Sequence, residues 1–136
     1  VDSVGLLEEI NNQSLKNNVV TNILLEVNLG EEQKHGFQFG DVEKALAYAL
    51  SLQGVCVKGL MAMLPESDNE ELLFSLSSSL RGLYNEFKDL YGFTTLSLGM
   101  SGDYPIAIKG LVVRGVYFVR IVSGTGEVHV GRLVVR

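Results

Sequence analysis

The sequence predicts an α/β domain in which a parallel sheet is covered by helices and followed by a β-rich tail. Two observations carry that prediction. Apolar runs at residues 23–29, 55–63 and 94–98 alternate with segments whose apolar residues recur every three or four positions. Strands of that texture are buried on both faces, as in a parallel sheet flanked by helices. After Ile108 the pattern becomes valine-rich and alternating, with no helical period, which reads as two or three strands joined by tight turns.

The elements follow in order. Asp2 or Ser3 caps a first helix with Leu6, Leu7 and Ile10 on one side, fraying at Asn17 and Asn18. Residues 23–29 form a buried strand stopped by Gly30. Asp41 caps a second helix with Val42, Ala45, Leu46, Ala49 and Leu50 inward and Gly54 just past its end. Residues 55–63 form the next strand, closed by Pro65. Asp68, with Glu71 three residues on, makes a capping-box start to the longest helix. Its core stripe is Leu72, Leu76, Leu80, Leu83, Phe87 and Leu90, and Gly92 ends it. The strand at 94–98 leads into a short helix over 104–109, and a strand near 118–122 is expected in the same parallel sheet.

At 136 residues the chain fits one domain, 1–136, with helix–strand units over 1–109 and the β-rich tail over 110–136. A hydrophobic share of 46% and a mean hydropathy of +0.22 argue for a packed core. The net charge of −5 gives no basic footprint, so nucleic acid is not an expected partner. No apolar run approaches the ~18–20 residues of a membrane span, and Val1-Asp2-Ser3 is not a secretory start. The lone Cys56 cannot form an internal disulfide, and Val55-Cys56-Val57 reads as a strand with a small buried hydrophobe. The expected setting is reducing and cytoplasmic.

The segment richest in chemistry is Leu96-Ser97-Leu98-Gly99-Met100-Ser101-Gly102-Asp103. A strand, a glycine-containing turn and a helix start expose several backbone N–H groups beside a positive helix end, the arrangement that holds a phosphate. Ser101 adds a hydroxyl, and Gly102 lets an oxyanion approach the backbone. Asp103 caps the helix that Tyr104-Pro105 begins. Ligands of parallel sheets sit at the carboxyl ends of the strands, and the polar segments 28–32, 63–66 and 99–102 all follow strands.

Other groups read as structural. Lys34 follows a strand on the ligand side and could reach an aldehyde, but the carboxylates of Glu31 and Glu32 favour its protonated form, so it reads as a solvated loop residue. His35 and His129 lack the clustered spacing of a metal site. Gly124-Thr125-Gly126 reads as a hairpin turn. Arg120, inside an apolar strand, needs an acceptor, and an ion pair and a ligand contact both remain open.

Three ordered motifs carry a family resemblance: Val27-Asn28-Leu29-Gly30-Glu31-Glu32-Gln33-Lys34-His35-Gly36-Phe37, then Lys58-Gly59-Leu60-Met61-Ala62, then Leu96-Ser97-Leu98-Gly99-Met100-Ser101-Gly102-Asp103. Together they resemble the pyridoxal phosphate homeostasis proteins, whose fold is similar to the N-terminal barrel of alanine racemase. The resemblance covers residues 1–109 and returns at Val119-Arg120-Ile121. It implies the C-terminal portion of a (β/α)8 barrel that binds pyridoxal 5′-phosphate. Ser101 and Gly102 match the family's phosphate turn, and Arg120 matches the arginine facing the pyridine nitrogen. Ser123 falls near a second phosphate-binding hydroxyl. An arginine there leaves the ring nitrogen unprotonated, which suits a carrier better than a catalyst. The family's first three strands, and the Schiff-base lysine they carry, are absent from this chain. Val122 stands where the family has glycine, and residues 127–136 do not match.

The expectation is therefore a partial (β/α)8 barrel that binds pyridoxal 5′-phosphate, a small phosphorylated ligand, without being an enzyme. A racemase-like enzyme fragment is one alternative, lacking a secure base. A structural, self-associating fragment with a vestigial site is the other. A cut barrel exposes a strand edge, so homo-oligomer formation, or cover by the C-terminal strands, is expected.

Overall fold

The computed structural model describes residues 1–30, 35–99, 115–122 and 128–135, the backbone alone for 99 and for the last two segments. The elements are α1 (Val4–Lys16), β1 (Thr21–Glu26), α2 (Val42–Leu50), β2 (Val55–Met63), α3 (Glu70–Tyr91), β3 (Thr95–Gly99), β4 (Gly115–Val122) and β5 (Val128–Val135). A 3-10 turn, Phe39–Asp41, leads into α2.

Strands β1, β2 and β3 lie parallel in that order, as their apolar texture requires. The strand expected at 118–122 does not join them. It lies within β4, which pairs antiparallel with β5 from Gly115↔Val135 to Val122↔Val128, in a separate two-stranded sheet. The antiparallel sense of β4 and β5 is local: five residues separate them, enough for a hairpin but too few for a parallel crossover.

The core lies between the helices and one face of the parallel sheet. Leu7 of α1, Leu25 and Val27, Val42 and Leu46 of α2, Leu60 and Ala62 of β2, and Leu80 and Phe87 of α3 are buried there. Each such large side chain contributes about 1.5–3 kcal/mol of transfer free energy.

Strand β2 does not alternate simply. Ile23 faces Val57 but Leu24 faces Gly59, so Lys58 is an extra residue in a bulge. Below the bulge Val55 and Val57 face the core; above it Leu60 and Ala62 do. Gly59 follows because an added Cβ would collide with the carbonyl oxygen of Thr95 on β3.

Helix ends and stripes differ from expectation in detail. Ser3 is the cap of α1, its hydroxyl accepting from the Leu6 N–H. The cap of α3 is Asn69 rather than Asp68, and its side chain accepts from the Leu72 N–H at 3.1 Å. Asp41 occupies the cap position of α2 without a capping bond and instead lies 3.6 Å from Lys44. The buried stripe of α3 runs through Leu73, Ser77, Leu80 and Phe87, leaving Leu72 and Leu90 exposed. Ser77 fits this stripe because its hydroxyl donates to the Leu73 carbonyl at 2.8 Å. Leu6 and Leu50 are exposed as well. Gly92 terminates α3 in the left-handed conformation (φ 67°) that glycine adopts at least cost.

At the amino ends of the strands, the Gly54 N–H donates to the buried Asn11 side chain at 2.8 Å. Ser14 and Thr21 share a 2.6 Å hydroxyl contact. These contacts tie α1 to the starts of β1 and β2. Among the described residues no helix is long and apolar enough to cross a membrane.

Candidate functional site

Because β1, β2 and β3 are parallel, their carboxyl ends open on one side of the sheet. Asn28 lies just past β1, buried at 6% exposure, with its side-chain oxygen accepting from the Gly30 N–H at 2.9 Å. The chain then returns to the strand it left. The Phe37 N–H donates to the Glu26 carbonyl at 2.7 Å, and the Asn28 N–H donates to the Phe37 carbonyl at 2.9 Å. Gly36 makes that return feasible. Its φ is 97°, and a Cβ there would stand 2.8 Å from the Asn28 nitrogen.

Val1 makes the same kind of contact one step lower. Its amino group donates to the Leu24 carbonyl and its own carbonyl accepts from the Glu26 N–H, both at 2.8 Å. Backbone groups of alternate strand residues point to one side, so Val1 and Phe37 occupy the same outer edge of β1 in tandem. The segments carrying them also meet where His35 Nδ1 lies 3.4 Å from a carboxylate oxygen of Asp2.

The sheet face turned away from the helices carries rows in register: Leu24–Gly59–Thr95, then Glu26–Met61–Ser97. Leu24, Glu26, Met61 and Ser97 are half-buried, and Leu24 and Met61 stand outside the hydrophobic core.

The structure treats the expected site residues unequally. Ser101, Gly102 and Ser123 lie outside the described residues, as do Lys34 and the helix expected at 104–109. Gly99, which ends β3, places the start of the Ser101–Gly102 segment after a carboxyl end of the sheet. Arg120 stands on β4 opposite Val130. His35 finds Asp2, and no group of three or more metal-ligating side chains exists among the described residues. Cys56 is half-buried rather than sealed in the core. Asn28 and the Gly36–Phe37 return were legible only as loop. Their signal was a left-handed-capable glycine beside an aromatic residue soon after an asparagine.

A shallow groove of about 320 Å³ lies along α1, lined in part by Ile10, Gln13, Val19 and Thr21. It is at the amino ends of the strands, away from this site. At the carboxyl end the described residues show a buried amide at Asn28, a return of the chain at Gly36 and Phe37, and a glycine ending β3.

The sequence matches the alanine racemase N-terminal domain family over residues 1–114. The chain belongs to that family. Its fold is accordingly a partial (β/α)8 barrel, with the hairpin as its tail. The pyridoxal phosphate homeostasis protein of Aquifex aeolicus is 37% identical over 112 residues, covering 80% of this chain and 49% of that protein. The namesake from Deinococcus radiodurans is 38% identical over 86 residues, covering 63% of this chain and 38% of its own length. The chain thus spans half or less of the curated relatives it matches. PipY of Synechococcus elongatus, solved without pyridoxal phosphate, superposes with a TM-score of 0.71 at 28% identity, over 81% of this chain and 54% of PipY. PipY with pyridoxal phosphate bound gives 0.70 at 26% identity, over 81% and 52%.

Proposed function

We propose that this chain binds pyridoxal 5′-phosphate as a carrier of the vitamin B6 homeostasis type, without catalysing a reaction. The observation that carries the reading is the placement of β3: a parallel strand ending in Gly99, followed in sequence by Met100, Ser101 and Gly102. The relatives' names, and the PipY structure with pyridoxal phosphate, support the choice of ligand. Ser101 and the backbone at Gly102 hold the phosphate, Arg120 faces the pyridine nitrogen, and Ser123 supplies a second hydroxyl. Main-chain donors, a hydroxyl and a guanidinium together offset the desolvation of a dianion. The cofactor, when bound, supplies an electron-withdrawing ring and an aldehyde. An arginine at the ring nitrogen weakens the first of these. Asn28 and the Gly36–Phe37 return fix the opposite wall of the mouth.

Cofactor titration by visible absorbance and equilibrium dialysis tests the reading. Saturable binding at micromolar concentration or weaker is expected, with borohydride trapping little covalent adduct. Gly102→Glu should abolish binding by placing bulk and negative charge in the phosphate turn. Unchanged affinity in that variant would remove the turn as the phosphate site.

A further inference from the structure

We propose that Glu26, at the carboxyl end of β1, selects the charge of the ligand by holding a protonated amine, so that the amine counterpart of pyridoxal 5′-phosphate binds more tightly than the aldehyde. The inference rests on the cofactor reading and narrows it. Glu26 ends β1 on the face turned away from the helices, since Ile23 and Leu25 take the core side. It is half-buried, yet among the described residues no cation lies within ion-pair distance of its carboxylate and no hydrogen bond reaches it. The carboxylates of Glu8 and Glu9 on α1, by contrast, accept from Tyr48 and Gln13. A carboxylate partly withdrawn from water costs free energy until a cation or donor meets it.

The row across the sheet indicates what brings that cation. Glu26 is in register with Met61, and Met61 with Ser97. All three are half-buried, and Glu26 is the one charged residue in the two rows of that face. Two strand spacings, about 10 Å, separate the positions of Glu26 and Ser97, room for one ring between them. A methionine thioether suits an aromatic ring laid against it, and Ser97 lies two residues before Gly99, on the strand that leads to the proposed phosphate turn.

The ligand's groups then sort by charge. Its phosphate belongs to the Ser101–Gly102 turn and its ring nitrogen to Arg120. The remaining 4-substituent lies across the ring from that nitrogen, away from the guanidinium. An aldehyde there turns a partly negative oxygen toward Glu26, whereas an ammonium turns donors toward it, and a charge-assisted hydrogen bond is about twice as strong as a neutral one.

Equilibrium dialysis of the 136-residue chain against three probes tests this: pyridoxal 5′-phosphate, pyridoxamine 5′-phosphate and pyridoxine 5′-phosphate. The hydroxymethyl group of the third matches the aminomethyl group in size without its charge. The parent chain should bind the amine about tenfold more tightly than the alcohol, the size of one hydrogen bond to a charged group. Glu26→Gln keeps the shape of the side chain and should erase that preference by weakening the amine alone. Should Glu26→Gln not fold, Glu26→Asp takes its place, and retracting the carboxylate by one methylene should lower the preference. A parent chain that binds amine and alcohol equally overturns the proposal, and so does a folded variant that keeps the preference in full. Equal weakening of all three probes marks a structural role for Glu26 and overturns it as well. If no probe binds the parent chain, the cofactor reading falls and this inference with it; if the aldehyde binds but the amine gains nothing, the inference alone falls.

Discussion

Gly59 is the position at which one added carbon is most costly. Its Cβ would occupy the space of the Thr95 carbonyl oxygen, a backbone atom that no rotamer can move aside. Gly59→Ala should therefore cost about 2–3 kcal/mol or more, in the range of overpacking with backbone displacement. A lower urea midpoint reads it, and an unchanged midpoint would mean that β2 and β3 are not this close. Asn11 acts by a different cause. Its side-chain oxygen is the acceptor for the buried Gly54 N–H, so Asn11→Ala leaves a buried donor unsatisfied and should cost about 1–3 kcal/mol. Tyr84 sets an alkaline limit. Its hydroxyl donates to the Phe93 carbonyl at 3.3 Å, and burial, with the charge of Asp89 adding to it, pushes its pKa above the ordinary tyrosine value. The folded chain thus holds this proton more tightly than the unfolded one. The associated stability is fully present below about pH 10 and is lost as pH rises through the folded value. Urea midpoints compared below and above about pH 10 should fall less steeply in Tyr84→Phe than in the parent chain.

In α3 the expected stripe holds at Leu76, Leu80, Leu83 and Phe87, which lie in or against the core, and misses at its ends, Leu72 and Leu90. Spacings of three and four fit a stripe beginning at Leu72 as well as one beginning at Leu73, and the choice rests on where the helix starts. Asn69, rather than Asp68, supplies the capping oxygen, and Leu73 is buried while Leu72 is 42% exposed. Leu73→Ala should cost about 2–5 kcal/mol, and Leu72→Ala about 0.5 kcal/mol or less. Equal losses would put Leu72 in the stripe. Element type and order through β3 were legible because parallel strands and amphipathic helices write different periods. The bulge at Lys58 was not, since its cause is the register against Ile23 and Leu24, which lie far off in sequence. The site was half legible for the same reason. A glycine turn after a strand is local, whereas Val1 reaches the Leu24 carbonyl of β1 across twenty-three positions and Phe37 returns to the Glu26 carbonyl across eleven.

At the scale of the molecule, the chain consists of a three-stranded parallel sheet and a two-stranded antiparallel one that share no pairing among the described residues. The parallel sheet owes its order to helices packed on one face, with Leu7, Leu46 and Leu80 fully buried. The hairpin owes its order to eight paired positions between β4 and β5, and an isolated two-stranded hairpin is marginal in water. The two sheets should therefore lose order separately. Deleting residues 127–136 removes β5 whole and leaves β4, with Arg120, without its pairing strand. Hydrogen exchange should then show loss of protection across 115–122, while amides of β1 and β2 stay within about threefold of their parent rates, because their opening is governed by the helix-covered core. Pyridoxal phosphate affinity should fall in the same variant, since Arg120 would lose its fixed position while the Ser101–Gly102 segment keeps its sequence. Exchange that quickens equally in β1, β2 and β4 would mean instead that the hairpin and the parallel sheet unfold as one unit, and the tail would then be part of the barrel fragment's core.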